Sequence, residues 1–192
     1  TPIFGLRSLP KLVVATTFPI FPPRYGGQTR VFQLYRHLAR WFDVVIVTPV
    51  PASEQAQDRE VAPGLREIRV PKSRHHQRQE QKLRAELEIP IEDISMLAFP
   101  DATPAFSETL RTECADAIAA VACHPYCLPM LQEVAPCPLW YEAQDVEAEI
   151  KAGMLPKNEK AKFWVQRIRE AEQELCDRAE VILTCSKEDA NS

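Results

Sequence analysis

The stretch Lys11–Leu38, KLVVATTFPIFPPRYGGQTRVFQLYRHL, decides the fold. Leu12–Ala15 is a short apolar run of the kind buried inside a parallel sheet. Pro19, Pro22 and Pro23 exclude helix and central strand from the next segment, because proline lacks an N–H and fixes φ. Gly26-Gly27 then let the chain turn sharply without a Cβ penalty. Val31, Leu34, Tyr35 and Leu38 recur at i, i+3, i+4 and i+7, one face of a helix. A strand that feeds a helix through glycines puts free N–H groups and a positive dipole end at its carboxyl edge, a natural anion site. The spacing is neither G-x-G-x-x-G nor G-x-x-x-x-G-K-[ST]. Two readings therefore stand: a tight turn shaped by geometry alone, and a loop that holds a ligand. The chain has 5 Gly, and two of them stand side by side here. Arg24 and Gln28 add a cation and an amide donor beside the turn, which favours the ligand.

Working outward, strands and helices alternate. Asp43–Thr48, DVVIVT, is the next strand, bounded by Pro49 and Pro51. Residues 51–64 are polar and close on a Pro63-Gly64 turn. Leu65–Val70 predicts a third, more exposed strand, and Lys72–Glu88 a solvated helix or mobile insertion. His75-His76 cannot face one ligand on a helix, since neighbours diverge. Pro90–Pro104 reads as irregular, and Thr103-Pro104 as cap and first residue of a helix to about Glu113. Ala117–Cys123 predicts a buried small-residue strand, Pro125–Val134 a helix, and Leu139–Ala143 another strand. Asn158–Ala179 carries a helical stripe: Ala161, Trp164, Val165, Ile168, Glu172, Leu175, Ala179. Glu172 on that apolar face is either a buried structural hydrogen-bond acceptor or a site carboxylate. Val181–Thr184 is the last strand, and Ser186-Lys187-Glu188-Asp189 has the form of a helix start.

This alternation predicts an α/β fold: a doubly wound, mostly parallel Rossmann-like sheet with helices on both faces. Ligands of such sheets bind outside the strands' carboxyl ends. Four polar clusters fall there: Arg24 to Gln28, His124 to Tyr126, Gln144 to Glu147, and Ser186 with Glu188. Each alone has a structural reading, as turn, strand end or helix cap; their agreement points to a site.

Composition bounds the rest. Net charge −4 without a polybasic run argues against a dedicated nucleic-acid binder. No apolar run reaches the length of a membrane span, and Arg7 and Lys11 interrupt any signal-peptide pattern. A cytoplasmic protein is expected, with peripheral contact to a membrane left open. The 6 Cys, none in C-x-x-C spacing, read as free thiols. Cys123 and Cys127 flank His124, yet no second ligand pair accompanies them, so no metal is expected.

The residues together resemble a family. FPPRYGGQTRVFQLYRHLA, the strand ending ACHPY, LWYEAQDVEAEI and WVQRIREAEQELCDRAEVILTCSKEDA are similar, in order, to the N-terminal half of a GT-B retaining glycosyltransferase of the family-four type. The resemblance covers most of the chain outside residues 72–104. It implies that 1–192 is one truncated Rossmann-like domain that mainly binds a sugar or lipid-linked acceptor. A C-terminal domain absent from this chain would hold the nucleotide-sugar donor and the paired carboxylates. Gly26 and Gly27, with Arg24 and Gln28, match the loop that approaches the donor phosphates and the transferred sugar. His124, Tyr126, Gln144, Asp145 and Glu147 fall to the acceptor side of the cleft. The nucleotide-sugar is a co-substrate, and no cofactor or metal is implied. Relatives often carry His-Asn or His-Asp where this chain has Gln144-Asp145. Glutamine takes no proton at neutral pH, so positioning, not general-base catalysis, is the role left to that pair. Residues 65–104 are expected to set acceptor choice. Two other functions compete: a nucleotide-sugar epimerase of the same fold with its own acid and base groups, and a stand-alone Rossmann-like binding module. The last would need an acidic cluster after the first strand, where the chain has Thr16-Thr17-Phe18. An exposed apolar patch where a second domain docks would instead mark a half protein.

Overall fold

The computed structural model describes residues 9–187. Strands β1 (Lys11–Ala15), β2 (Asp43–Val50), β3 (Gln57–Ala62), β4 (Leu65–Pro71), β5 (Ala119–Cys123), β6 (Leu139–Ala143) and β7 (Val181–Thr184) form one sheet. Their order is β3-β4-β2-β1-β5-β6-β7, and all neighbours are parallel except the β3–β4 pair. The helices are α1 (Gly26–Leu38), α2 (Arg74–Leu87), α3 (Ile94–Ala98), α4 (Pro104–Cys114), α5 (Leu128–Val134), α6 (Glu147–Met154) and α7 (Glu159–Arg178). The doubly wound α/β sheet expected from the alternation is the fold observed.

The period-2 geometry of a strand sorts its side chains onto two faces, and here both are buried. Leu12, Val14, Val44, Ile46, Ala119 and Val121 pack against Val31, Phe32 and Tyr35 of α1. Val13, Ala15, Val45, Val47, Ala120 and Ala122 face the other way, into the larger core under the remaining helices. This is why β1, β2 and β5 read as unbroken apolar runs rather than alternating ones.

Several expectations are corrected. Gly26 and Gly27 do not make the turn: they are the first two residues of α1 and neither has a positive φ. The glycine that needs its conformational freedom is Gly64, at φ 72° in the β3–β4 hairpin, where a Cβ would also lie 2.9 Å from the Ala39 carbonyl oxygen. Residues 57–62, read as loop, form the antiparallel edge strand β3; its polar sequence suits an edge and hides the strand pattern. β4 lies inside the sheet between β2 and β3, and is not the exposed strand expected. Within 90–104, α3 and a 3-10 turn at Pro100–Ala102 bury Ile94, Met96 and Leu97. The Thr103 hydroxyl does not cap α4. It accepts from the Ser73 amide at 3.1 Å and meets His76 Nδ1 at 2.9 Å.

That contact belongs to a buried polar network at the carboxyl end of β4. Lys72 bonds Glu80 and Ser95, and His76 Nε2 lies 3.3 Å from Ser95 Oγ. His75 is exposed, so the pair indeed diverges. Burial, and then the Lys72 charge, push the His76 pKa down to about 4. In the unfolded chain it titrates near 6.5. Below that value the unfolded state binds a proton that the folded state refuses, so stability falls as pH drops from about 6.5 to about 4. A loss on the order of 1–2 kcal/mol is expected between pH 7.5 and 5, allowing for solvent screening. Urea melts at the two pH values test it: His76→Asn should flatten the slope, and an unchanged slope refutes the assignment. Among the described residues no helix is long and apolar enough to cross a membrane.

Candidate functional site

The carboxyl ends of β1, β5 and β6 converge on one edge, and the sequence-predicted residues gather there. The α1 N-terminus has Tyr25 at its cap with no side-chain hydrogen bond, and no acidic residue in its first turn. Its first N–H groups and the dipole's positive end therefore receive no acceptor from the cap side chain or from an acidic residue of the first turn. A Cβ on Gly26 would meet nothing within 4 Å. On Gly27 it would lie 3.3 Å from Gln144 Oε1 and 3.8 Å from the Phe18 ring, so Gly27 lets α1 approach the end of β6. Lower on the same contact, Arg30 Nε lies 3.4 Å from Oε1 of the buried Glu142.

Gln28 does not point to a ligand. Its Oε1 accepts from the Arg24 amide at 2.8 Å and its Nε2 donates to the Pro19 carbonyl at 2.7 Å, which ties the proline loop to α1. Arg24 is exposed at the rim.

His124 is the most constrained residue of the edge. Its φ of 87° and ψ of 156° are rare for a residue with a Cβ and cost about 1–3 kcal/mol. Its surroundings hold it there. Nδ1 lies against the Cys123 carbonyl, which can only accept, so Nδ1 carries a hydrogen. Nε2 lies 3.3 Å from Glu147 Oε1, and Phe18 packs edge-on with centroids 5.7 Å apart. Glu147 Oε2 accepts from the Tyr126 hydroxyl at 2.6 Å. Burial raises the Glu147 pKa above the usual carboxyl range. Nε2 and Oε1 thus face each other across a buried polar contact. Tyr126, 1% exposed, supports Glu147 from within; burial, and then the nearby carboxylates of Asp93 and Glu147, raise its own pKa. Gln144 is nearly buried and donates Nε2 to Cys123 Sγ at 3.1 Å. Gly27, Phe18, His124, Gln144 and Glu147 thus form one cluster. Asp145 is exposed beside it and lines a separate cleft of about 670 Å³ between α6, α7 and β7.

The helix that carries Glu147 is held by Glu172. Its carboxylate accepts from the Glu147 amide at 3.0 Å, the Ala148 amide at 3.2 Å and the Tyr141 hydroxyl at 2.9 Å. Of its two readings the structural one is observed: it caps α6 from α7. Of the fourth cluster, Glu188 and Asp189 lie outside the described residues. Exposed large apolar side chains on elements leaving this edge are Tyr25, Ile150 and Met154.

Sequence reasoning missed Phe18, and it missed Glu67, a fully buried β4 carboxylate bonded to the loop before α1. The signal for Glu67 was parity: it alternates with the buried Leu65 and so shares its face.

A doubly wound parallel sheet that gathers the α1 N-terminus, His124, Gln144 and Glu147 at its carboxyl edge defines the class: a Rossmann-like α/β domain, the fold shared by the halves of GT-B proteins. The chain belongs to the glycosyl transferase 4-like domain family, which matches residues 25–191. Among solved structures, sucrose-phosphate synthase from Thermosynechococcus elongatus has the same fold, with TM-score 0.64 and 14% identity over 95% of this chain and 44% of its own. Looser matches are the α,α-trehalose 6-phosphate synthase of Burkholderia multivorans and the UDP-forming α,α-trehalose-phosphate synthase of Burkholderia xenovorans. The first has TM-score 0.46 and 11% identity over 95% of this chain and 41% of its own. The second has TM-score 0.49 and 9% identity over 94% and 41%. The chain spans less than half the length of these proteins. No curated protein sequence matches it.

Proposed function

We propose that the chain is the acceptor-side half of a glycosyltransferase that moves a sugar from a nucleotide-sugar to a sugar or lipid-linked acceptor, on the cytoplasmic side. The observation that carries this is Gly26: an ordinary helical residue with open space where its side chain would be. Nothing in the fold requires glycine there, whereas a diphosphate drawn against the first N–H groups of α1 does. Fixed N–H dipoles then stabilise the charge that grows on the leaving phosphate, with no metal needed. His124, held by Glu147, and Gln144 hold the acceptor. Asp145 and Arg24 stand at the rim, where a second, donor-binding domain closes the cleft.

Two measurements test this. Pyrophosphate titrated into the chain should shift the Gly26 and Gly27 amide NMR signals before any others. The full-length protein, offered a panel of UDP- and GDP-sugars, should release the free nucleotide from at least one. Folded protein that shows neither effect refutes the reading.

A further inference from the structure

The loop that delivers Gly26 is held from a distance. Glu67 sits in β4, 0% exposed, on the α1 face of the sheet. Its Oε1 accepts from the Ile20 amide at 2.6 Å and the Phe21 amide at 3.3 Å. Its Oε2 accepts from Arg69 Nε at 2.9 Å and an Arg59 guanidinium nitrogen at 3.3 Å. Both guanidinium groups also donate to the Phe21 carbonyl, Arg59 at 3.1 Å. The backbone of Ile20 and Phe21 is thus gripped at its N–H groups by a carboxylate and at a carbonyl by two cations. From the other side Gln28 holds the Pro19 carbonyl. A buried charge with this many partners is costly to assemble and adds little net stability over an apolar isostere. Its return lies in geometry.

We propose that Glu67 is a positioning residue: through Ile20 and Phe21 it sets the height of the loop that presents Gly26 and Gly27 to the ligand. This couples the β3–β4 hairpin, on the side expected to select acceptors, to the glycine end of α1. The proposal rests on reading that loop as ligand-facing. Glu67→Gln puts an NH2 group against two guanidinium donors and breaks the grip while keeping the volume.

The test combines hydrogen exchange and steady-state kinetics on the full-length protein. In Glu67→Gln, amides of residues 18–28 should exchange about tenfold faster, while those of β5 and α4 keep their rates. With a nucleotide-sugar the wild type accepts, kcat should fall about tenfold or more and the KM for acceptor should hold. A uniform rise in exchange over the sheet, with kcat falling only as the folded fraction falls, overturns the proposal. So does unchanged loop exchange. If Glu67→Gln does not fold, Arg59→Gln, on the sheet edge and 39% exposed in its side chain, removes one arm of the grip and should reproduce both effects at smaller size. A wild type that turns over no nucleotide-sugar sinks the proposed function; the exchange arm still decides the clamp.

Discussion

Gly26→Ala in the full-length protein is expected to cut turnover on the order of a hundredfold and to leave the fold intact or slightly more stable. The stability half follows from the structure. Residue 26 is helical, its φ is not positive, and beyond its chain neighbours and its own helix backbone no atom lies within 4 Å of the added methyl. Alanine there removes unfolded-chain entropy and gains up to about 1 kcal/mol. The activity half follows from the ligand reading. A methyl between the backbone and a diphosphate moves the phosphate by about 1 Å, and misplacement of that size costs on the order of 10²-fold. Melting temperature and nucleotide release separate the two effects. Wild-type turnover in Gly26→Ala would return the loop to its geometric reading. Gly27→Ala is less diagnostic, because its methyl also crowds Gln144 Oε1.

Glu172→Ala should lose on the order of 3 kcal/mol, seen as a melting temperature roughly 6–12 °C lower. Two losses add. The α6 N-terminus loses the acceptor for the Glu147 and Ala148 amides, a cap worth about 1 kcal/mol. The Tyr141 hydroxyl, on a residue 1% exposed, loses its partner at a cost of about 1–3 kcal/mol. Adding Tyr141→Phe should recover part of the second loss, because no buried hydroxyl is then left unpaired. If Glu172→Ala melts with the wild type, water satisfies these groups and the cap is incidental. Activity should fall as well, since an unanchored α6 no longer holds Glu147 against His124.

Much of this architecture was legible in the chain itself. β1, β2 and β5 announce themselves because strands buried on both faces need unbroken apolar runs, and α7 because its stripe repeats at helical period. Their alternation determines a parallel sheet, and the sheet determines that His124, Gln144 and the α1 N-terminus share an edge. The sequence by itself also held the family likeness and the position of the glycine pair. What only the tertiary structure decided is which polar groups meet. Long-range hydrogen bonds join residues far apart in sequence, and no local period encodes them. Glu67 looks like one more charge in a polar stretch until the sheet places it under Ile20. Gln28 looks like a ligand donor until both ends of its amide are occupied by the loop. Glu172 had two readings, and α6 settled which. β3 was hidden because an edge strand needs no apolar face. Backbone conformation was the last thing withheld: two adjacent glycines suggested a turn, and helix packing made them the start of α1 instead.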